Sequence, residues 1–162
     1  MFISTSKPKL LKMFIQIDFD KVKRNFQQNL AYTLGKGYPL KYSIALALAG
    51  ALKEYPWIQE VYYSEISVGE FVEGEDVDGR DVDILIKTSI PSPSVAKLLG
   101  QELEEVLNKA LKELCLHQAN SHNLVEIHVD DLYVKAVSDA LASGRTPHNA
   151  ILLYRSKKAR QI

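Results

Sequence analysis

A chain of 162 residues, 46% apolar and 25% charged, can bury one sizeable hydrophobic core, so neither a disulfide nor a structural metal is required to hold it together. Lys plus Arg equals Asp plus Glu at 20 each, which excludes net charge as the force that recruits nucleic acid or an anionic membrane; functional charge must be local. The single cysteine, Cys115, excludes an internal disulfide, and its place on the apolar side of a helical pattern makes it a core filler.

In chain order, residues 1–17 are an N-terminal extension of mixed character. Lys7, Lys9 and Lys12 interrupt its apolar residues, so no signal-peptide core forms. Met13 is an alternative start on this reading, which makes the residues before it dispensable. Asp18 or Asp20 caps a helix running to about Leu34, stopped by Gly35 and Gly37. Residues 42–55 form a second helix, rich in helix formers (SIALALAGALKEY) and ended by Pro56. The longest smooth apolar run, residues 43–52, lies within it and is about half of what a membrane span needs. The protein is therefore expected in the cytoplasm, with no membrane partner.

Residues 58–68 read as a strand rich in Val, Ile and Tyr, residues 69–79 as a loop, and residues 81–88 as a strand of clean alternation closed by SIPSPS. Ser94 caps a long helix on which Val95, Leu99, Leu103, Val106 and Leu107 recur at helical spacing. Residues 124–129 form a strand, and Asp130 or Asp131 caps a helix that Gly144 stops. Residues 149–154 form a last strand. A basic, frayed tail follows over residues 155–162, with Arg155, Lys157, Lys158 and Arg160. The whole is one domain of the α/β (α+β) class. A loop joins the first two strands and a helix the next two, which predicts a mixed sheet with helices packed mainly on one face.

Alternation assigns the faces. Along DVDILIK, Val82, Ile84 and Ile86 take one side and Asp81, Asp83, Leu85 and Lys87 the other. Along LVEIHVD, Val125, Ile127 and Val129 take one side and Glu126, His128 and Asp130 the other. If both aliphatic faces meet the same helices, Asp81, Asp83 and Glu126 project from the same open side of the sheet. Three such carboxylates repel one another unless a divalent cation sits among them. A cluster of this kind can hold two Mg²⁺ about 3.5–4 Å apart, as phosphoryl transfer uses. The competing explanation is simpler: a strand with one wet face carries polar residues at every second position.

The stretch VYYSEISVGEFVEGEDVDGRDVDILIKTS resembles the signature of the nucleotidyltransferase superfamily that includes DNA polymerase beta, most nearly its minimal prokaryotic members. Gly69 matches the first Gly of the pattern, Gly74 the later one and Asp81-Val82-Asp83 its Asp-x-Asp, while Glu126 falls where the third carboxylate stands. The resemblance covers roughly residues 40–155. It implies a nucleotidyltransferase-like fold and metal-dependent transfer of a nucleoside monophosphate from a nucleoside triphosphate (NTP) to an acceptor.

In that reading Asp81, Asp83 and Glu126 hold Mg²⁺ (or Mn²⁺), and Glu126 helps to deprotonate the acceptor. Gly69 lets backbone approach phosphate. Ser67 stands in for a hydroxyl that the family places after the first Gly, where this chain has Glu70. Arg80 is the one base among seven acidic residues from Glu70 to Asp83. Minimal members often work beside a separate helical protein, so such a partner or a homodimer is expected. The acidic loop and Glu70 motivate an alternative: a catalytically degenerate module of the same fold, acting in binding or regulation with a protein partner.

Other signals carry less. DVDGRD lacks the sixth-position Gly and the spaced Glu of a calcium loop. His128 shares the predicted face of Glu126 and can assist a site, although a hydrogen-bonded structural histidine is the plainer explanation. Lys87 can touch phosphate or simply join a surface ion pair. The basic tail can contact nucleic acid, but no aromatic platform accompanies it.

Overall fold

The computed structural model describes residues 7–64, 82–114, 124–145 and 150–157. Along the chain these form α1 (Lys7–Lys12), α2 (Phe19–Gly35), α3 (Leu40–Leu52), β1 (Ile58–Ser64), β2 (Val82–Thr88), α4 (Pro93–Glu113), β3 (Val125–Val129), α5 (Leu132–Ala142) and β4 (Ala150–Arg155). Asp18 opens α2, its carboxylate accepting from the N–H groups of Asp20 and Lys21. Asp131 opens α5, accepting from Val134 N–H at 3.0 Å, and Gly144 leaves that helix with φ +76°, a conformation glycine adopts without strain. At α4 the expected cap is displaced: Ser92 accepts from Val95 N–H at 3.3 Å, and Pro93 takes the first helical position, where no N–H is needed.

The N-terminal segment also differs from expectation. The residues before Met13 are expected to be dispensable, yet Leu11 among them is buried in the same core as α2, α3 and α4. Lys9 and Lys12 on either side of Leu11 hide that packing in the sequence.

The four strands form one mixed sheet in the order β3-β2-β1-β4. β1 runs antiparallel to β2 and to β4, while β2 and β3 are parallel. A parallel neighbour requires a long crossover, and α4 supplies it. Val82, Ile84, Ile86, Val125, Ile127 and Val129 point into the main core with Phe26, Leu48, Leu99 and Leu103, so most helices do cover one face. The opposite face is not simply open. Tyr62 and Leu85 pack there against Val134 of α5, with Val137 and Leu141 around them.

That second face also holds a buried carboxylate, Glu60. It accepts hydrogen bonds from Tyr62 Oη at 2.7 Å and Ser138 Oγ at 3.0 Å, and Arg155 Nε lies 3.4 Å away as an ion pair. Burial first, and then the Glu60 carboxylate, push the Tyr62 phenol well above its ordinary pKa. Arg155 therefore belongs to β4 and its ion pair rather than to a frayed tail.

β3 lies at an edge of the sheet, and α4 covers its outer hydrogen-bonding groups. Asn108 Oδ1 accepts from Leu124 N–H at 2.9 Å and Val125 N–H at 3.1 Å, and Asn108 Nδ2 donates to Val125 O at 3.2 Å. Glu104 accepts from Ile127 N–H at 2.7 Å. An edge closed in this way cannot pair with another strand. Among the described residues no helix is long and apolar enough to cross a membrane. Asn108→Ala strands buried β3 groups at about 1–3 kcal/mol each. Urea unfolding should therefore show a loss of at least that size; an unchanged midpoint would show that water or other groups serve the edge instead.

Candidate metal centre

The parallel register sets the site. Asp83 lies opposite Glu126, and Leu85 opposite His128. Because aliphatic residues at alternate positions are committed to the main core, Asp83, Glu126 and His128 share the other face. Two of the three expected carboxylates are thus brought together. Asp81, Ser67, Gly69 and Arg80 lie outside the described residues, as do Glu70, Gly74 and Cys115.

Asp83 is 1% exposed, and among the described residues neither of its carboxylate oxygens has a hydrogen-bond partner. It sits between Ser64 on β1 and Glu126 on β3. Solvation on a wet face therefore does not account for this aspartate. Burying a carboxylate without donors costs several kcal/mol unless a cation compensates it. Glu126 is different, with 48% of its side chain exposed, and it forms the solvent side of the cluster.

His128 completes the cluster, with 12% of its side chain exposed. Its Nδ1 lies 2.6 Å from Asp131 Oδ2, while the other Asp131 oxygen caps α5. The Tyr133 ring meets the imidazole edge-on, with centroids 5.4 Å apart. This leaves Nε2 turned to Asp83 Oδ1 at 3.6 Å and Glu126 Oε1 at 3.7 Å, too far for hydrogen bonds. Burial by itself lowers the imidazole pKa, but Asp83, Asp131 and Glu126 outweigh it and hold the group at about 9. Asp83, Glu126 and His128 each present one donor atom, all within 4.8 Å of one another. Two carboxylates and an imidazole gathered around a small gap are a donor set for a divalent cation.

Asp130, on the same predicted face, does other work. It adopts φ 55° and accepts from Thr88 N–H at 2.7 Å and from the Thr88 hydroxyl, tying the end of β3 to the end of β2. Lys87 lies opposite Glu60 in the β1–β2 register. A cavity of about 850 Å³ is walled by Phe14, Ile17, Tyr55, Trp57 and Ile90 and by none of the three cluster residues. The sequence held one neglected signal for His128: a Glu-x-His alternation followed at the i+3 position by an aspartate able to orient the ring.

Comparison with known proteins adds no family to this geometry: no protein-family model matches the chain, and no curated protein or solved structure matches it. Fold and site together define a mixed α/β protein with a candidate divalent-metal centre.

In metal-free protein, an NMR titration of the His128 ring should find a pKa near 9, above the ordinary ~6.5. Asp131→Asn should lower it by removing one of the carboxylates that sustain it. An ordinary value unmoved by Asp131→Asn would mean that the imidazole does not face these groups in solution.

Proposed function

We propose that the chain is a metal-dependent nucleotidyltransferase, moving a nucleoside monophosphate from an NTP to an acceptor hydroxyl. The observation that supports this reading is Asp83: a buried carboxylate without a hydrogen-bond partner among the described residues, opposite Glu126 in a parallel register. The residue pattern Gly69, Gly74, Asp81, Asp83 and Glu126, in that order, connects this pair with nucleotidyl transfer.

In the reaction the acceptor oxygen bonds to the α-phosphorus, the bond from that phosphorus to the β-phosphate bridge breaks, and pyrophosphate leaves. Divalent metal ions, Mg²⁺ or Mn²⁺, supply positive charge to the phosphate oxygens when bound. Asp83 and Glu126, with Asp81, are the residues to hold them. Glu126, open to solvent, is placed to take the acceptor's proton. Gly69, Ser67 and Arg80 are assigned to the triphosphate. A helical protein partner or a second copy of the chain supplies the surface that binds the acceptor. The second reading, a module of this fold that binds without transferring, draws on Glu70 and the acidic residues up to Asp83. Nucleic-acid binding through the tail is weakened by the engagement of Arg155 with Glu60.

Thermal unfolding with Mg²⁺ or Mn²⁺ and each NTP tests both readings. A ligand present at 100 times its dissociation constant adds about 2.7 kcal/mol, hence a shift of several degrees. A metal-dependent shift with one NTP, lost in Asp83→Ala, is the expected result. Transfer of label from the α- but not the γ-phosphate should then fall by about 10²-fold or more in the same variant, the scale of losing one group that stabilises developing charge. A folded protein that gives no shift with any NTP would remove the transferase and leave the binding module.

A further inference from the structure

We infer that the metal of this centre is a first-row transition dication of the Mn²⁺-to-Zn²⁺ series, bound by His128 Nε2 together with Asp83 and Glu126, rather than Mg²⁺ held by carboxylates alone. This rests on the proposed placement of the metal at Asp83 and Glu126, but on none of the nucleotide chemistry.

Two buried side chains with unbonded polar atoms face each other here. Asp83 is buried with both oxygens lacking a hydrogen bond among the described residues, and His128 Nε2 is a buried nitrogen in the same condition. The other ring nitrogen is committed to Asp131. That division, one imidazole nitrogen held by a carboxylate and the other turned inward, is how proteins orient a metal-binding histidine. Asp131 is itself fixed, because its second oxygen caps α5, and Tyr133 braces the ring.

Distances agree with the assignment. Metal–ligand bonds of about 2.0–2.2 Å separate the donors of a tetrahedral site by about 3.3–3.6 Å. The His128 nitrogen stands 3.6 Å from Asp83 Oδ1 and 3.7 Å from Glu126 Oε1. These two pairs need little contraction; the Asp83 and Glu126 donor atoms lie within 4.8 Å of each other, and the exposed Glu126 side chain is the one to close that remaining gap. The choice of metal follows from the nitrogen. Mg²⁺ takes oxygen donors and retains much of its water, whereas imidazole suits the later dications and carboxylate suits Mn²⁺. A plain ion pair of His128 with the two carboxylates is the alternative, and it requires no metal.

The experiment uses the full chain, freed of metal by a chelator. Co²⁺ is followed by its visible absorption, and Mg²⁺, Mn²⁺ and Zn²⁺ by calorimetry, in wild type, His128→Ala and Asp131→Asn. The expected result is one Co²⁺ per chain with ligand-field bands, and Mg²⁺ bound more weakly than Mn²⁺ or Zn²⁺. His128→Ala should lower Co²⁺, Mn²⁺ and Zn²⁺ affinity by at least about tenfold with Mg²⁺ unchanged. Asp131→Asn, which acts through the histidine, should lower it by about 10–100-fold. Equal affinities and an unchanged Co²⁺ spectrum in His128→Ala would overturn the assignment, as would a wild type that prefers Mg²⁺.

Because His128→Ala can fail to fold, pulsed EPR of Mn²⁺-loaded wild type provides a second decision. Imidazole nitrogen coupling is required, and its absence overturns the ligand set. Transition-metal binding through His128 without any NTP response would leave this centre standing and remove the transferase. An NTP response with Mg²⁺ that is indifferent to His128→Ala would do the reverse.

Discussion

Parallel pairing of β2 with β3 is the constraint from which the site follows. Val125, Ile127 and Val129 must face the main core, and the alternation of a strand then obliges Glu126 and His128 to face the other way. A slip of one residue would expose the aliphatic set and bury the polar one, so burial itself protects the register. α4 enforces the same arrangement. Gly100 lies so near β3 that an added Cβ would stand 3.3 Å from Val129 Cγ2 and 3.4 Å from Ile127 O. Eight residues further along the helix, Asn108 takes up the edge of β3 by hydrogen bonds. Helix and strand thus fix where Glu126 and His128 stand relative to Asp83.

Glu60 and Asp83 make an informative pair. Both are buried carboxylates, on neighbouring strands. Around Glu60 the fold gathers a tyrosine, a serine and an arginine, as expected when a buried acid is structural. Around Asp83 it gathers no hydrogen-bond donor among the described residues, only a histidine at ion-pair distance and a second acid. The same domain satisfies a buried acid at Glu60, whereas among the described residues no hydrogen bond reaches Asp83. The cation proposed for this site would supply the missing partner and fit the orientation of His128.

Much of this was legible in the sequence, for identifiable reasons. Period-two alternation in DVDILIK and LVEIHVD sorted the core face from the polar face, and the loop and helix connections gave the mixed sheet. What alternation could not supply was depth. It placed Asp83 on the second face but read that face as open, because a helical pattern such as that of α5 tells which side is apolar and not which face of the sheet it will cover. The cap of α4 was misplaced between two serines, and Pro93 decides it, since its fixed φ suits the first helical position. Leu11 was hidden among lysines. His128 was undervalued because its role depends on Asp131, which a sequence presents only as a helix cap, whereas its two oxygens serve two partners.

Anomalous diffraction from crystals soaked in Mn²⁺, recorded at the manganese edge, would locate a metal at the Asp83–Glu126–His128 cluster. One peak is expected within bonding distance, about 2.0–2.3 Å, of an Asp83 oxygen, a Glu126 oxygen and His128 Nε2. A density map in which these three side chains keep their own company, with manganese elsewhere on the protein or nowhere, would contradict this placement.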